Sequence, residues 1–549
     1  MKRYFIALLA LSAVSFSAAA QSWQDAYAFS ENNYVGTARS VGMGNAMTAV
    51  GGDLGSLTFN PAGSAVSPYS QFVLTPGISV SSMYVAPASR AGFDAAAYGA
   101  GERTSLTRFK MPNFGFSVNM DTGRSRGIKR VSFGLVGNAT NDYTGKYGFS
   151  GVNKQTSLAA AMATEATGYS HSIFDASDPY WADEIPSWRT MNGYFAGMYD
   201  LIDGTESDYL GVTEQMLDNG DILFAAPVNQ QYGRRTFGNK YDLLLNFAAD
   251  VSDVFYFGAN IGISTLSYRA DEYWMESAVN PEDFPLSYAD GTARYFSQLH
   301  QLYAYEAEGT GIYAKAGILW RPVAGLRVGA AIQTPTVYRI GERYGYQGKT
   351  ELIGASAGEG KTFSDSSPED EWHYKLTSPY RLNLGIAYTF GTFAMLSADY
   401  ELCDYSRMKF ANDYDYYSFD EVSDQGVFPR ESNADIREIM GKSHTIRLGA
   451  EVKPIPELAI RAGYNFITDP QKYYFDGDDS LNFSRTNVSL GLGYNSGKSF
   501  FADFAVRAGL LPDEAGSLYE DYVEGTASPR FTVDSSVLVD ALLTVGWRF

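Results

Sequence analysis

The sequence is poor in the residues that build disulfides and thiol or metal centres. Its 549 residues include one cysteine, Cys403, and four histidines, His171, His300, His373 and His444. A single cysteine cannot form an intramolecular disulfide, and the histidines are far apart in the sequence, without the close spacing of metal ligands. We therefore expect neither a disulfide scaffold nor a zinc or catalytic cysteine site, and we predict no metal and no cofactor.

Long hydrophobic runs are also missing after residue 20, which excludes a helical inner-membrane protein. At the start of the chain, two basic residues precede an apolar run from Tyr4 to about Val14, and three alanines precede Gln21. This pattern is typical of a signal peptide, so we expect residues 1–20 to be removed on export. No cysteine follows the cleavage site, and lipid attachment is therefore not expected.

Basic residues are outnumbered, with 42 Lys and Arg against 62 Asp and Glu, so the formal charge is −20. A phosphate backbone would be repelled, and no Lys/Arg-rich stripe offers a local exception, so we predict no nucleic-acid partner. Aromatic residues make up 15% of the chain, and the 40 Tyr, 34 Phe and 55 Gly favour strands and turns. That aromatic content excludes intrinsic disorder.

Enzymatic motifs are incomplete. Four Gly-Lys-Ser/Thr triplets begin at Gly348, Gly360, Gly441 and Gly497, but each lacks the glycine five positions earlier that a P-loop requires. The one Gly-x-Ser-x-Gly match, GASAG at 354–358, lies in a connection between two predicted strands and not at the strand-to-helix turn of an α/β-hydrolase. We therefore do not expect an enzyme.

Apolar residues alternate with other residues over long stretches. From Val537 to Phe549 the odd positions are apolar, whereas the even ones include Asp540, Thr544 and Arg548. The same alternation recurs over 380–388, 394–402 and 458–466. Strands of a soluble sandwich are usually five or six residues long, whereas a tilted transmembrane strand needs about 9 to 11. The pattern predicts an all-β fold, a transmembrane antiparallel β-barrel with a polar lumen.

Fourteen segments of this kind follow residue 68. We predict strands near 69–84, 105–120, 129–144, 237–251, 254–270, 299–321, 326–341, 373–390, 392–410, 440–453, 457–469, 482–496, 499–511 and 533–549. Short and long connections alternate, as expected if short turns face the periplasm and long loops face outside. The longest connection, 145–236, has helix-compatible spacing at 155–168, 189–203 and 209–219, which predicts a partly helical extracellular insertion. A mobile insertion without function is the alternative.

Residues 36–64 form a segment of small residues, GTARSVGMGNAMTAVGGDLGSLTFNPAGS, before the first predicted strand. This segment resembles the N-terminal hatch of the FadL/TodX family of outer-membrane transporters for long-chain fatty acids and hydrocarbons. The matching positions are Gly42, Gly44, Ala46, Ala49, Asp53, Asn60, Pro61, Ala62 and Gly63. The resemblance continues through strand segments at 131–143, 256–268, 326–340, 378–390, 397–410 and 447–470. It does not include the 145–236 insertion or the residues before Gly36.

A hatch is also expected on physical grounds. A barrel of about fourteen strands is too wide for its own side chains to fill, so an unplugged lumen would conduct water and solutes. We assign the hatch to residues 21–68 and the barrel to residues 69–549. Proline at position 61 would rigidify the turn after Asn60. The alternative is that this stretch is only a well-packed structural turn.

Charged residues recur on the predicted lumen face of the strands. They are Arg327, Arg381, Asp399, Arg447, Glu451, Arg461, Arg507, Asp540 and Arg548. Charges at such depth should pair or stay hydrated. Two interpretations remain, a structural ladder that holds the hatch to the wall and a set of charges that steers a ligand carboxylate.

The resemblance implies passive uptake of hydrophobic compounds across the outer membrane of a Gram-negative bacterium. It further implies a hatch rearrangement and a lateral exit into lipid at a kink in the third strand, where this chain has Gly134, Gly137 and Asn138. The chain ends in Trp547-Arg548-Phe549, which resembles the signal read by the barrel-assembly machinery. We expect a monomer whose partners are a hydrophobic ligand, outer-membrane lipids and that machinery. The alternative is a structural or adhesive surface protein that displays its loops.

Overall fold

The computed structural model describes residues 22–182, 184–287, 292–354, 356, 359–413, 428–472, 483–497, 499–523 and 525–549. The predicted signal peptide, residues 1–20, lies outside the described residues. Over the described ranges, no helix has both the length and the apolar character needed to cross a membrane.

Fourteen antiparallel strands form the body of the protein, and several of them consist of two or three consecutive pieces. They are β1 Gln71–Pro87, β2 Glu102–Asp121, β3 Ile128–Asp142 and Gly145–Asn153, β4 Val228–Val251, β5 Phe255–Ala278, β6 Ala293–Val323, β7 Leu326–Gln333 and Val337–Gly354, β8 Lys361–Ser366, Asp370–Thr377 and Arg381–Phe390, β9 Ala394–Asp404 and Lys409–Asn412, β10 Lys442–Ile455, β11 Leu458–Ile467, β12 Arg485–Asn495, β13 Phe500–Leu510 and Glu514–Ser517, and β14 Arg530–Arg548. Each strand pairs with the next along the chain, and β14 pairs with β1 from Gln71↔Arg548 to Pro87↔Phe531. The sheet is therefore closed, and the predicted fourteen-stranded barrel is confirmed.

Short and long connections emerge from opposite ends of this barrel. The short ones are 122–127, 252–254, 324–325, 391–393, 456–457 and 496–499. We call this end the short-turn end and the opposite end the long-loop end. The pairing of Gln71 with Arg548 places both ends of the barrel chain at the short-turn end.

The outer surface of the barrel is apolar. Successive side chains of a strand point to opposite faces of the sheet, and the alternating apolar residues are the ones that point outward. On β14, Leu543 and Trp547 are 44% and 45% exposed, whereas Asp540 and Thr544, at positions of the opposite parity, are fully buried. The same division holds on β8, where Leu384, Ile386 and Tyr388 are exposed and the intervening positions face inward. Aromatic rings gather near the short turns, which is typical of an interfacial girdle. Its members include Phe72, Phe255, Trp320, Tyr388, Phe390, Phe393, Tyr494 and Trp547.

The described residues form six α-helices, all short. They are α1 Trp23–Ser30, α2 Ala38–Gly42, α3 Ala95–Tyr98, α4 Leu158–Ala166, α5 Trp188–Phe195 and α6 Phe428–Ile439. Short 3-10 helices span Leu54–Thr58, Pro61–Val66, His171–Ile173, Pro179–Trp181, Pro281–Asp283 and Tyr405–Arg407. Short strands in two separate small sheets are Tyr199–Leu201, Tyr209–Gly211, Glu214–Met216 and Ile222–Phe224, and the short strand Pro285–Ser287 pairs with the start of β6.

The long insertion is smaller than predicted. Residues 145–153 and 228–236 are not part of it, because they pair with each other and extend β3 and β4. Two of the three predicted helices occur, as α4 and α5, but the helix predicted at 209–219 is wrong. That stretch forms two short strands, and a turn at Gly220, whose φ is +84°, folds the second strand back onto Ile222–Phe224. Glycine adopts such a φ readily, so the chain turns at Gly220 and the helix predicted from the residue spacing does not form.

The insertion, residues 154–227, packs over the long-loop end and we call it the cap. Its buried Leu158, Met191 and Tyr199 join a large apolar cluster with side chains from the upper ends of the barrel strands. The backbone N–H of Leu158 donates to Glu276 of β5 at 2.7 Å, and Arg189 donates to Gln301 of β6 at 3.1 Å. Burial lowers the pKa of the Arg189 guanidinium. The cap is therefore a folded cover anchored to the rim.

Candidate functional site

The N-terminal residues 22–66, which we call the hatch segment, lie inside the barrel. Its backbone N–H groups at Ala38 and Thr48 donate to Thr544 of β14 and Asp399 of β9, each at 2.7 Å. The Asn60 side chain donates to the Ile318 carbonyl of β6 at 3.0 Å. Because the contacted strands are distributed around the ring, the segment must fill the lumen between them.

Cationic side chains of the wall hold the hatch segment by its backbone. Each donates to a hatch carbonyl, and none of these bonds depends on a hatch side chain. The donors and acceptors are Lys240 to Phe29 (2.9 Å), Arg381 to Ser30 (2.7 Å), Arg507 to Tyr34 (3.0 Å), Arg327 to Val50 (2.6 Å) and Lys315 to Thr58 (2.6 Å). Hydrogen bonds with an ionised donor are stronger than neutral ones. These five wall cations therefore attach the hatch backbone to the wall.

The polar hatch residues singled out in the sequence cap its short helices. Asp53 accepts from the Thr37 hydroxyl at 2.6 Å and from the Gly55 N–H at 2.9 Å, and it begins the 3-10 helix Leu54–Thr58. Asn60 accepts from the Ala62 N–H at 3.1 Å and begins the 3-10 helix Pro61–Val66. Pro61 suits the first position of this helix, because proline lacks the backbone N–H that would have no partner within the helix there. These residues fix the path of the hatch chain through the lumen.

The hatch glycines permit close approach of backbone to backbone. Gly44 has φ +61°, and a Cβ there would lie 2.6 Å from the backbone nitrogen of Tyr464. A Cβ at Gly42 would meet Gly491 of β12 at 3.2 Å, and one at Gly63 would lie 2.8 Å from the Ser56 hydroxyl. The hatch and the wall therefore pack main chain against main chain.

A matching set of glycines lies on the lumen side of the wall. A Cβ at Gly463 of β11 would lie 1.9 Å from the nitrogen of Gly44, and one at Gly258 of β5 would lie 2.3 Å from the carbonyl carbon of Pro61. The same conflict with the hatch occurs at Gly317, Gly329, Gly385 and Gly449. Sequence reasoning missed these wall glycines. Their signal is the glycine at a lumen-facing position of the alternating strand pattern.

Six of the nine predicted lumen charges belong to buried ion pairs. Glu401, which is 2% exposed, accepts from Arg381 at 2.9 Å and from Arg447 at 2.7 Å. Arg461 is paired with Glu451 at 2.7 Å and with Asp503 at 2.5 Å.

Other predicted charges differ in their partners. Arg507 pairs with Asp540 at 2.5 Å, and Arg548 lies over the Phe501 ring at 4.4 Å. Sequence reasoning did not single out Glu401 or Asp503 as partners, although Glu401 shares the inward parity of Asp399 on the same strand. Alternation identifies which residues face the lumen but not which strands meet there.

Above the charged layer, aromatic residues surround α1. Its buried Phe29 lies edge-on to Tyr268 with the ring centroids 5.8 Å apart, and Tyr27 lies edge-on to Tyr405 at 5.0 Å. The cluster continues through buried Tyr305, Tyr338, Tyr344, Tyr346, Tyr374, Ile436 and Met440. The middle of the lumen is therefore an apolar, tyrosine-rich chamber that α1 fills from within.

The hydrogen-bonded wall is interrupted between β2 and β3. These strands pair only from Asn113↔Asn138 to Asp121↔Arg130. Beyond that point, β2 continues to pair with β1 up to Glu102, and β3 continues to pair with β4. Among the described residues, no ladder joins 102–112 to 139–153, and we call this stretch the unpaired seam. Phe109 and Met111 at its edge are 67% and 40% exposed on the apolar outer surface.

The hatch segment covers the unpaired seam from the inside. The N–H groups of Asn33 and Val35 donate to the carbonyls of Thr140 and Ala139 at 2.7 and 3.0 Å. This short bridge forms where the register of β3 against β4 shifts between Ala139 and Asn141. The hatch N–H groups therefore bond to carbonyls of β3 at the level where β2 no longer pairs with β3.

Side chains cross the seam in place of backbone bonds. Arg108 of β2 donates to Asp142 of β3 at 3.2 Å and also bonds the Thr144 hydroxyl. On the outer face, the Tyr241 hydroxyl of β4 reaches over β3 and donates to the Met111 carbonyl at 2.7 Å. The seam is therefore closed by a few side chains and by the hatch.

The residues predicted for the exit lie just below the seam. Gly134 pairs with Ser117 and Gly137 with Phe114, so neither glycine is in the unpaired stretch, which is a correction to the prediction. Gly137 lies under the stacked rings of Phe114 and Tyr241, whose centroids are 6.1 Å apart, and a Cβ there would be 2.6 Å from Phe114. Asn138 forms the last rung and donates to Thr58 of the hatch at 2.8 Å.

No protein-family model and no curated protein matches the chain. A solved structure of a Pseudomonas aeruginosa FadL homologue is similar, with 13% sequence identity, coverage of 94% of this chain and 99% of that chain, and a TM-score of 0.48. The Pseudomonas putida toluene transporter TodX has 12% identity, coverage of 95% of this chain and 100% of that chain, and a TM-score of 0.49. The Ralstonia pickettii toluene transporter TbuX has 12% identity, coverage of 93% of this chain and 98% of that chain, and a TM-score of 0.43.

Proposed function

We propose that this protein resides in the outer membrane of a Gram-negative bacterium and takes up hydrophobic compounds passively, such as long-chain fatty acids or hydrocarbons. The closed barrel with its apolar outer face supports a membrane location, because all backbone groups of the wall outside the seam can pair without water. The alternating connections support short turns in the periplasm and the cap outside. We further propose residues 21–68 as the hatch and 69–549 as the barrel.

The observation that carries the transport proposal is the unpaired seam. An apolar solute that crossed a watery lumen would forfeit about 0.8 kcal/mol for each buried CH₂ group, so a sideways route into lipid is favoured. The seam faces the apolar outer surface. The aromatic chamber around α1 is formed by strands β5 to β9, and Tyr143, between the two pieces of β3, links it to the seam side by donating to the Ala28 carbonyl of α1 at 3.1 Å. We propose that ligand passes from the chamber through the seam after Asn33–Val35 of the hatch detach from β3.

The hatch contacts favour this local rearrangement. Two backbone bonds attach Asn33–Val35 to β3, and Arg507 donates to the Tyr34 carbonyl at 3.0 Å and to the Asn33 side chain at 3.2 Å. The Asn45 side chain, within the hatch, also donates to the Tyr34 carbonyl at 3.0 Å. Release of this stretch does not require the loss of the ion pairs around Glu401 or of the contacts made by Asn60. A small part of the hatch can therefore move while the rest stays anchored.

A reversible cross-link across the seam tests the proposed exit. Arg108→Cys and Thr144→Cys place thiols on opposite edges, because the native side chains touch there. The native Cys403 is buried and should remain unmodified. We expect a short disulfide-cleavable bis-thiosulfonate to lower uptake of labelled toluene or oleate in the double variant and a reductant to restore it. The two single variants are the controls.

Uptake by cells with and without the gene tests the function itself. Equal uptake by both cell types would contradict transport and would favour the alternative, a surface protein that displays its loops. Normal uptake with the cross-link in place would contradict the lateral exit alone. The two proposals can therefore fail separately.

We also propose a monomer that the barrel-assembly machinery inserts by its C-terminal residues. Trp547 packs against Phe500 with the ring centroids 5.8 Å apart, and Phe549 is 73% exposed at the short-turn end. An exposed terminal aromatic residue contributes little to packing in the folded barrel. Its role is therefore better explained by recognition during assembly.

A further inference from the structure

A pocket of about 290 Å³ opens at the short-turn end, between the hatch segment and the wall. Arg39, Val50 and Gly51 of the hatch form one side of it. The other side consists of Arg327 of β7, the connection from β8 to β9, and Lys453 of β10. Its volume equals about ten water molecules and is at the small end of ligand sites.

The pocket carries an excess of positive charge. Arg39, Arg327 and Lys453 line it, whereas Glu451 is the only acidic residue among its lining side chains. Glu451 already lies 3.2 Å from Arg39 and 2.7 Å from Arg461 outside the pocket. A local surplus of cations is unexpected in a chain with a formal charge of −20. It favours an anionic occupant.

Arg327 has donors left for such an occupant. Its guanidinium donates to the Val50 carbonyl at 2.6 Å, and within the described part of the chain it has no carboxylate partner. A guanidinium has five N–H donors in a planar fork that fits a carboxylate. Lys453, at 3.7 Å from Glu451, is 43% exposed and lies at the rim of the pocket. The two cations approach the pocket from β7 and β10.

Apolar groups limit the kind of anion. Val50, Phe393 and Met395 contribute to the lining, and Val50 and Met395 are buried. These groups offer apolar contacts to part of an occupant, and a volume of about 290 Å³ is several times that of an inorganic oxyanion, so an organic carboxylate fits the pocket better.

We propose that this pocket binds a small organic carboxylate of about the size of benzoate. The carboxylate contacts Arg327 and Lys453, and the apolar body lies against Val50 and Met395. Because Arg39 and Val50 belong to the hatch and the other residues to the wall, the bound anion joins the two. This site is separate from the seam and from the aromatic chamber, and it goes beyond the transport proposal.

Isothermal titration calorimetry on the full folded protein in detergent tests the site with sodium benzoate as the probe. We expect saturable binding of one benzoate per chain, and binding of the neutral isostere benzyl alcohol at least tenfold weaker. Loss of one charged hydrogen bond should weaken binding roughly tenfold or more in Arg327→Met. Arg321→Met is the matched control, because Arg321 donates to Ala324 at 3.1 Å and does not line the pocket.

A second variant covers the case in which Arg327→Met does not fold, and other ligands test whether the site is selective for the organic carboxylate. Lys453→Met should also weaken benzoate binding, and it leaves every hatch hydrogen bond intact if Arg327→Met fails to fold. Excess toluene should not displace benzoate. Displacement by toluene, equal binding of inorganic phosphate or benzyl alcohol, or full binding in both the Arg327 and the Lys453 variants would overturn the proposal.

Discussion

The contact between Gly463 and the hatch gives the sharpest prediction about what closes the lumen. A Cβ at this position would lie 1.9 Å from the nitrogen of Gly44 and 2.5 Å from the carbonyl carbon of Met43. The shorter distance is about 1.5 Å below the 3.4 Å at which ordinary contact begins. Because both atoms belong to the hatch backbone, no side-chain rotation can relieve the conflict.

Gly463→Ala should therefore push the hatch away from β11. Insertion of an extra carbon into a packed interior costs typically 1–3 kcal/mol. If that cost falls on the closed state alone, the ratio of closed to open barrels drops about 5–150-fold. Single-channel recordings in planar bilayers should show longer conducting periods than the parent.

A matched control separates hatch displacement from general damage. Gly134 also faces the lumen, but a Cβ there would have its nearest contacts at 3.4 and 3.5 Å, so Gly134→Ala should stay as tight as the parent. Heat-modifiable migration in gels would show that both variants are folded. Equal closure of Gly463→Ala and the parent, with both folded, would refute the packing argument.

Three further predictions follow from the same contacts. Deletion of residues 36–64 should open the lumen in bilayer recordings, because these residues contact wall strands around the barrel; an equally tight deletion variant would assign the block to the cap. Glu401→Gln leaves Arg381 and Arg447 without their shared carboxylate and should lower the free energy of unfolding by about 3–5 kcal/mol in urea titrations, whereas Glu351→Gln at an exposed pair should change it by less than about 1 kcal/mol. Deletion of Phe549 should reduce the amount of folded barrel in membranes, and a normal yield would contradict its role in assembly.

The sequence alone was sufficient to predict the barrel. Alternation with period two over long segments specifies both the strands and which side chains face outward, since successive residues of a strand point to opposite faces. The inward parity of Arg381, Asp399 and Arg447 followed from this rule without any knowledge of neighbours. The alternation of short and long connections then predicted which connections lie at the same end of the barrel.

Tertiary structure decided which of these residues meet. Glu401 pairs with Arg447 because β9 and β10 are adjacent in the closed sheet, and Gly463 faces Gly44 because the hatch returns into the lumen. The seam could not be located from sequence. Gly134 and Gly137 predict an irregular part of β3, yet both residues pair with β2. Pairing between strands depends on register and on the path of a distant segment, and neither is encoded by the local pattern of a single strand.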